Sequence, residues 1–255
     1  MTKKHPPRPL DNVPGNGNHV VQGPVIRRRG QKQTTTTDQR LLAGVGDTSW
    51  RHTDPWRTLR IQSEFVEGFG TLAELGPAIS VFGSARTRPD SPMYAAAERM
   101  ARELVNEGYA VITGGGPGVM EAANKGADEA GGTSVGLGIE LPFEASMNSH
   151  VNLGINFRYF FVRKVMFLKY AQGFIVMPGG LGTFDELFEA LTLAQTGKVQ
   201  HFPVVLFGVD YWQGLVDWLR QAALAEGYIG AGDLDMFLVT DDEAAAIAHV
   251  TTMAP

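Results

Sequence analysis

The 255-residue chain is 44% hydrophobic and 19% charged, enough apolar material for one large domain or two small ones. It has no cysteine, which excludes a disulfide framework, a thiol nucleophile and Cys-ligated zinc or iron–sulfur centres. The net charge of −5 is unevenly divided: residues 1–57 hold ten Lys/Arg against four Asp and carry +6, which leaves −11 on the rest. A body that acidic argues against a nucleic-acid partner, because duplex binding depends on neutralising several phosphates.

The first lysines precede no apolar stretch of signal-peptide length, and no run of about 18 or more apolar residues follows anywhere. A soluble, cytoplasmic protein with no membrane partner is expected. Residues 1–52 are rich in Pro, Gly, Asn, Gln and Thr and show neither strand nor helix periodicity, so they read as a disordered basic tail. Within it, Arg27-Arg28-Arg29 reads as a solvated charge cluster. The remainder, 53–255, reads as one domain. Asp54-Pro55 supplies a helix start signal, and Trp56, Leu59, Phe65, Val66, Phe69 and Leu72 populate an amphipathic helix outside the repeated core.

From Ala78 onward short apolar runs alternate with helical patterns. Ile79 to Phe82, Ala110 to Thr113, Ser134 to Ile139, Phe174 to Met177 and Val204 to Phe207 read as strands buried on both faces, the signature of a parallel sheet. Phe157 to Tyr170 reads as a largely buried helix. The alternation predicts an α/β, Rossmann-like doubly wound sheet flanked by helices.

In such a sheet, ligands sit beyond the carboxyl ends of the strands. Three ends are glycine-bearing: Gly83-Ser84-Ala85-Arg86, Gly114-Gly115-Gly116-Pro117-Gly118 and Pro178-Gly179-Gly180-Leu181-Gly182-Thr183. Glycine lets backbone N–H groups approach an anion, and the following helix N-terminus adds a favourable dipole, so a phosphorylated ligand is expected. The dinucleotide fingerprint fails because Glu121 stands where its third glycine belongs, and no Walker A sequence occurs; NAD and ATP are disfavoured.

Glu186 lies three residues after Thr183. That spacing fits a capping box, as in Thr240-Asp241-Asp242-Glu243, and it also puts a carboxylate just above the glycine turn. Arg163 and Lys164 interrupt an aromatic and aliphatic segment, where a buried cation needs a partner or a polar cleft. The six histidines have no ligand spacing, so no metal is invoked.

The run Pro178-Gly179-Gly180-Leu181-Gly182-Thr183-Phe184-Asp185-Glu186 resembles the P-G-G-x-G-T-x-x-E motif of the Lonely Guy family, the cytokinin riboside 5′-monophosphate phosphoribohydrolases. Arg163-Lys164 matches that family's upstream Arg-Lys pair, and the likeness extends over Trp56 to Leu224. The resemblance implies hydrolysis of the N-glycosidic bond of a nucleoside 5′-monophosphate, releasing the base and ribose 5-phosphate without a cofactor. It assigns the catalytic pair to Glu186 and Arg163. Lys164, Gly83, Ser84, Gly114, Gly115, Gly116, Gly179, Gly180, Gly182 and Thr183 are expected to hold substrate and its phosphate. It also implies a homo-oligomer built on dimers. A non-catalytic nucleotide or molybdenum-cofactor carrier of the same fold is the alternative.

Overall fold

Strands whose side chains are apolar on both faces need helices on both sides of their sheet, and the computed structural model has that arrangement. It describes residues 19–22, 25–28, 35–42, 56–140, 147–198 and 202–252. The core is a seven-stranded, all-parallel sheet in the order β6-β5-β4-β3-β7-β8-β9. Its strands are β3 (Ala78–Phe82), β4 (Ala110–Thr113), β5 (Ser134–Ile139), β6 (Leu153–Phe157), β7 (Phe174–Val176), β8 (Val204–Phe207) and β9 (Phe237–Thr240).

Side chains alternate between two cores. On one face Phe82, Ile112, Leu137, Phe174, Val176 and Leu206 pack with α5 (Phe160–Tyr170), α6 (Leu181–Gln195) and α7 (Val209–Trp218). On the other, Ile79, Val81, Val111, Ile175 and Val205 pack with α3 (Pro92–Asn106), α4 (Val119–Glu129) and α8 (Glu243–Thr252). A π-helical turn, Leu219–Leu224, extends α7.

Two strands of this sheet escaped the sequence reading, and both are its edges. β6 (Leu-Gly-Ile-Asn-Phe) and β9 (Phe-Leu-Val-Thr) are only partly buried, and in β6 Gly154 and Asn156 interrupt the apolar run. The expected helix over Phe157 to Tyr170 therefore begins at Phe160, after β6 has ended at Phe157.

The N-terminal helix α2 spans Arg57–Leu72, with Trp56 at its cap; the Asp54-Pro55 start signal lies outside the described residues. Residues ahead of it are not uniformly without structure. His19–Gln22 (β1) and Val25–Arg28 (β2) pair antiparallel, and Thr37–Leu42 forms a short helix, α1, with Thr36 and Thr37 buried. The Arg27-Arg28-Arg29 run falls partly on β2. Helix α1 joins the body through Thr37 and Asp38.

Helices α3 and α4 approach so closely that a Cβ on Gly126 would stand 2.0 Å from the Glu98 carbonyl oxygen. That oxygen belongs to the backbone and cannot swing away. Gly126→Ala is therefore expected to destabilise the protein by about 1–3 kcal/mol or more, seen as a lowered thermal midpoint, although alanine is the better helix former.

Candidate active site

Strand order reverses between β3 and β7, and the loops leaving these two strands diverge to open a crevice beyond their carboxyl ends. The turns there are tied together: Ser84 N–H donates to Pro178 O (3.0 Å), and Val119 N–H donates to Ser84 O (3.1 Å). The crevice is a cavity of about 780 Å³. Gly83, Ser84, Gly114, Gly115, Gly116, Arg163, Gly180, Gly182, Thr183 and Glu186 all line it. Gly179 and Lys164 do not.

The glycines are not equivalent. A Cβ at Gly83 would strike Val119 at 2.7 Å, and Cβ atoms at Gly114 and Gly116 would strike Met120 at 2.9 and 2.7 Å. Gly115, at φ +70°, faces Met147 at 3.1 Å and donates its N–H to Thr113 Oγ1. The carbonyls of Gly115 and Gly116 accept from Asn148. This second turn is thus occupied largely by the protein's own groups. Gly179 makes room for Thr183, whose Oγ1 would lie against a Cβ there, and its carbonyl accepts from the Tyr211 hydroxyl. Gly180 and Gly182 differ, because apart from their chain neighbours and the helix's own backbone no atom lies within 4 Å of where their Cβ would stand. Helix α6 starts here with Gly180 as its cap, and the first N–H groups of a helix have no intrahelical acceptor. Open space and the first N–H groups of a helix coincide at Gly180–Gly182, a geometry that suits an anion.

Thr183 is not a helix cap. It lies inside α6 and is buried, as is Glu186, so the capping-box reading of this pair is corrected. In Thr240–Glu243, too, the cap is Asp242, whose Oδ1 accepts from Ala244 and Ala245 N–H. Glu186 is 4% exposed and has Arg163 Nη2 at 3.9 Å and Lys164 Nζ at 4.0 Å. Burial raises its pKa to about 7, against the pull of Arg163 and Lys164. Arg163 also lies against aromatic rings, its Cζ 4.8 Å from the centre of Phe160 and 5.7 Å from that of Phe167. Lys164 turns instead to Glu189 (2.7 Å) and Asp185 (2.9 Å). Burial lowers its pKa, but these hydrogen bonds outweigh the burial and hold the ammonium above the usual lysine value.

Arg86, from the first of the strand ends read in the sequence, also lines the cavity, as do Met120, Ile139, Met147, Asn156 and Phe167, which were missed there. Asn156 is informative, since its Nδ2 is buried without a hydrogen-bond partner among the described residues. Its signal, a polar residue near the carboxyl end of a strand, was legible only once β6 had been recognised. Among the described residues no three His, Asp or Glu side chains are grouped to hold a metal ion, and no helix is long and apolar enough to cross a membrane.

Fold and cleft together define a Rossmann-like α/β protein that sets a buried carboxylate and guanidinium beside an open helix start. Residues 120–250 match the family model described as possible lysine decarboxylase. Over 191 residues the chain is 30% identical to a probable cytokinin riboside 5′-monophosphate phosphoribohydrolase of Oryza sativa subsp. japonica, covering 72% of this chain and 82% of that protein. A cytokinin riboside 5′-monophosphate phosphoribohydrolase of Rhodococcoides fascians is also 30% identical, over 60% of this chain and 79% of its own length. The chain belongs to this family, the Lonely Guy family. Among solved structures, the molybdenum cofactor carrier protein of Chlamydomonas reinhardtii is similar at 27% identity and TM-score 0.50, covering 69% of this chain and 97% of its own.

Because Glu186 has a folded pKa above that of an unfolded carboxyl, its contribution to stability is complete below about pH 4.5 and is lost as pH rises through about 7. Glu186→Gln, which resembles the protonated acid, should therefore match wild-type stability in acid. Its advantage should grow with pH to on the order of 3 kcal/mol near about pH 8.5. Denaturant unfolding across that range checks this, and parallel curves for the two proteins would contradict it.

Proposed function

We propose that the protein hydrolyses the N-glycosidic bond of a nucleoside 5′-monophosphate, of the cytokinin riboside 5′-monophosphate or AMP type, to the free base and ribose 5-phosphate. The observation that carries this reading is the buried Glu186 beside Arg163, on the wall of the same cavity as the open amides of Gly180–Gly182. With the 5′-phosphate at the start of α6, the ribose would be held over the second turn of that helix, where Glu186 stands.

Cleavage breaks the bond from C1′ to the base nitrogen, which leaves with the bonding pair and takes up a proton, while a water oxygen bonds to C1′. Positive charge builds on the ribose ring as the base departs, and a carboxylate next to it lowers that barrier. The same carboxylate, titrating near neutral pH, is suited to accept the proton of the attacking water. Arg163 would keep Glu186 partly ionised and oriented. No bound cofactor is required by this chemistry. A homo-oligomer built on dimers belongs to the proposal, since Val66, Phe69, Phe160, Phe161 and Val165 stay exposed on α2 and α5.

The likeness to the Chlamydomonas carrier supports a second reading, a non-catalytic nucleotide or molybdenum-cofactor carrier. A carrier has no use for a buried carboxylate and arginine across the ribose, which favours hydrolysis. Lysine decarboxylation fits poorly: an imine needs a neutral amine, whereas Lys164, next to the cavity, is held as the ammonium by Glu189 and Asp185.

Incubation with a panel of nucleoside 5′-monophosphates, the matching nucleosides and lysine, with chromatography of the products, tests the proposal. AMP-type substrates should release base and the nucleosides should be nearly inert; equal cleavage of adenosine and AMP would refute the phosphate seat. Glu186→Gln and Arg163→Ala should each lower kcat by roughly 10²–10³-fold while the protein stays folded. Gly182→Ala places a methyl group in the open seat inside a helix. KM should rise by an order of magnitude or more, with thermal stability unchanged or improved by up to about 1 kcal/mol.

A further inference from the structure

The helix that carries Arg163 does not cap itself. Tyr159, at the N-cap of α5, makes no side-chain capping bond, and the first N–H groups of a helix need acceptors from elsewhere. Here they come from outside the wound sheet. Both carboxylate oxygens of Glu64, on α2, accept the Arg158 N–H, at 3.0 and 3.1 Å, and Oε2 also accepts the Tyr159 N–H at 3.3 Å. Asp38, on α1, accepts the Phe160 N–H at 3.0 Å. Thr37 anchors α1 to the end of β5 by donating its hydroxyl to Glu140 Oε2 at 2.6 Å.

Three successive amides, of Arg158 just before the helix, of its cap Tyr159 and of its first residue Phe160, thus meet two carboxylates, the charge that a helix N-terminus favours. Arg163 lies on the very turn they secure, its N–H donating to Tyr159 O at 3.3 Å. Glu64 is 6% exposed, and a carboxylate that deeply buried is tolerable only while its donors are in place.

We propose that Glu64, with Asp38, is a positioning residue: the two carboxylates fix the first turn of α5 and thereby the direction of the Arg163 guanidinium toward Glu186. Its kinetic consequence rests on the hydrolase reading above. A rival explanation is purely structural, with Glu64 serving to pair Arg158 Nη1 at 3.2 Å and hold α2 in place.

Three full-length variants separate the two: Glu64→Leu, Asp38→Ala and Arg158→Met, each followed by thermal unfolding and by kcat and KM on AMP. Positioning predicts that Glu64→Leu and Asp38→Ala lower kcat roughly 10- to 100-fold with KM within about threefold of wild type, because the seat at Gly180–Gly182 belongs to another helix. Arg158→Met should keep kcat within about threefold, its amide still held by Glu64. Equal losses in Glu64→Leu and Arg158→Met, or a rise in KM in place of the fall in kcat, would overturn the proposal. Should Glu64→Leu fail to fold, Asp38→Ala decides, since α1 lies at the edge of the body. The Glu186 carboxyl, faced by Arg163, Lys164, Glu189 and Asp185, supplies a readout independent of turnover. Its titration, followed by carbon NMR, should move upward in Glu64→Leu and Asp38→Ala as Arg163 swings away. A wild type that cleaves no nucleotide would end the hydrolase reading alone. The positioning role would then stand or fall on that titration, and an unmoved carboxyl would refute it.

Discussion

The junction of β3 with β7 governs everything at the cleft. Their pairing, Ser80 with Phe174 through Phe82 with Val176, puts strands that are distant in sequence side by side at the place where the winding direction reverses. Loops leaving the two strands must part, and the space between them becomes the cavity. Without that register, Gly83-Ser84 would not reach Pro178, and the start of α6 would not face the turns after β3 and β4.

Within the cavity the decisive chemistry is a competition between burial and charge. Desolvation drives the Glu186 proton on, while Arg163 and Lys164 draw it off, and the balance falls near neutral pH. Neither cation makes a short contact with Glu186, at 3.9 and 4.0 Å, which keeps the carboxylate from being locked into a tight ion pair. Lys164 is engaged more closely by Asp185 and Glu189 and serves that network.

The glycines illustrate how one composition signal can have two physical origins. At 83, 114, 116 and 179 the missing side chain makes room for Val119, Met120 and Thr183. At 180 and 182 the room is left empty at a helix start. A buried polar chain supports the second turn from below, with Thr113 and Asn148 both hydrogen-bonded to Asn124 Oδ1 and Asn124 Nδ2 bonded to Ser134. Satisfied buried networks of this kind rigidify a loop.

The sequence by itself determined the wound sheet, because interior strands such as Ile79–Phe82 and Val204–Phe207 are apolar on both faces and so read as continuous runs. It also determined the glycine turn at 178–183, and the resemblance of a nine-residue motif and an Arg-Lys pair implied the association of Glu186 with Arg163. It left β6 and β9 unread, since both are half-buried edge strands and, in β6, Gly154 and Asn156 break the apolar pattern. Only the tertiary structure decided that Thr183 and Glu186 are interior residues of α6, because local spacing cannot distinguish a cap from a buried turn. It alone showed which glycines are open, since that depends on side chains such as Met120 and Met147 arriving from elsewhere. And it alone brought Asp38 and Glu64 to the start of α5, contacts made across more than ninety residues of chain, for which no local pattern exists.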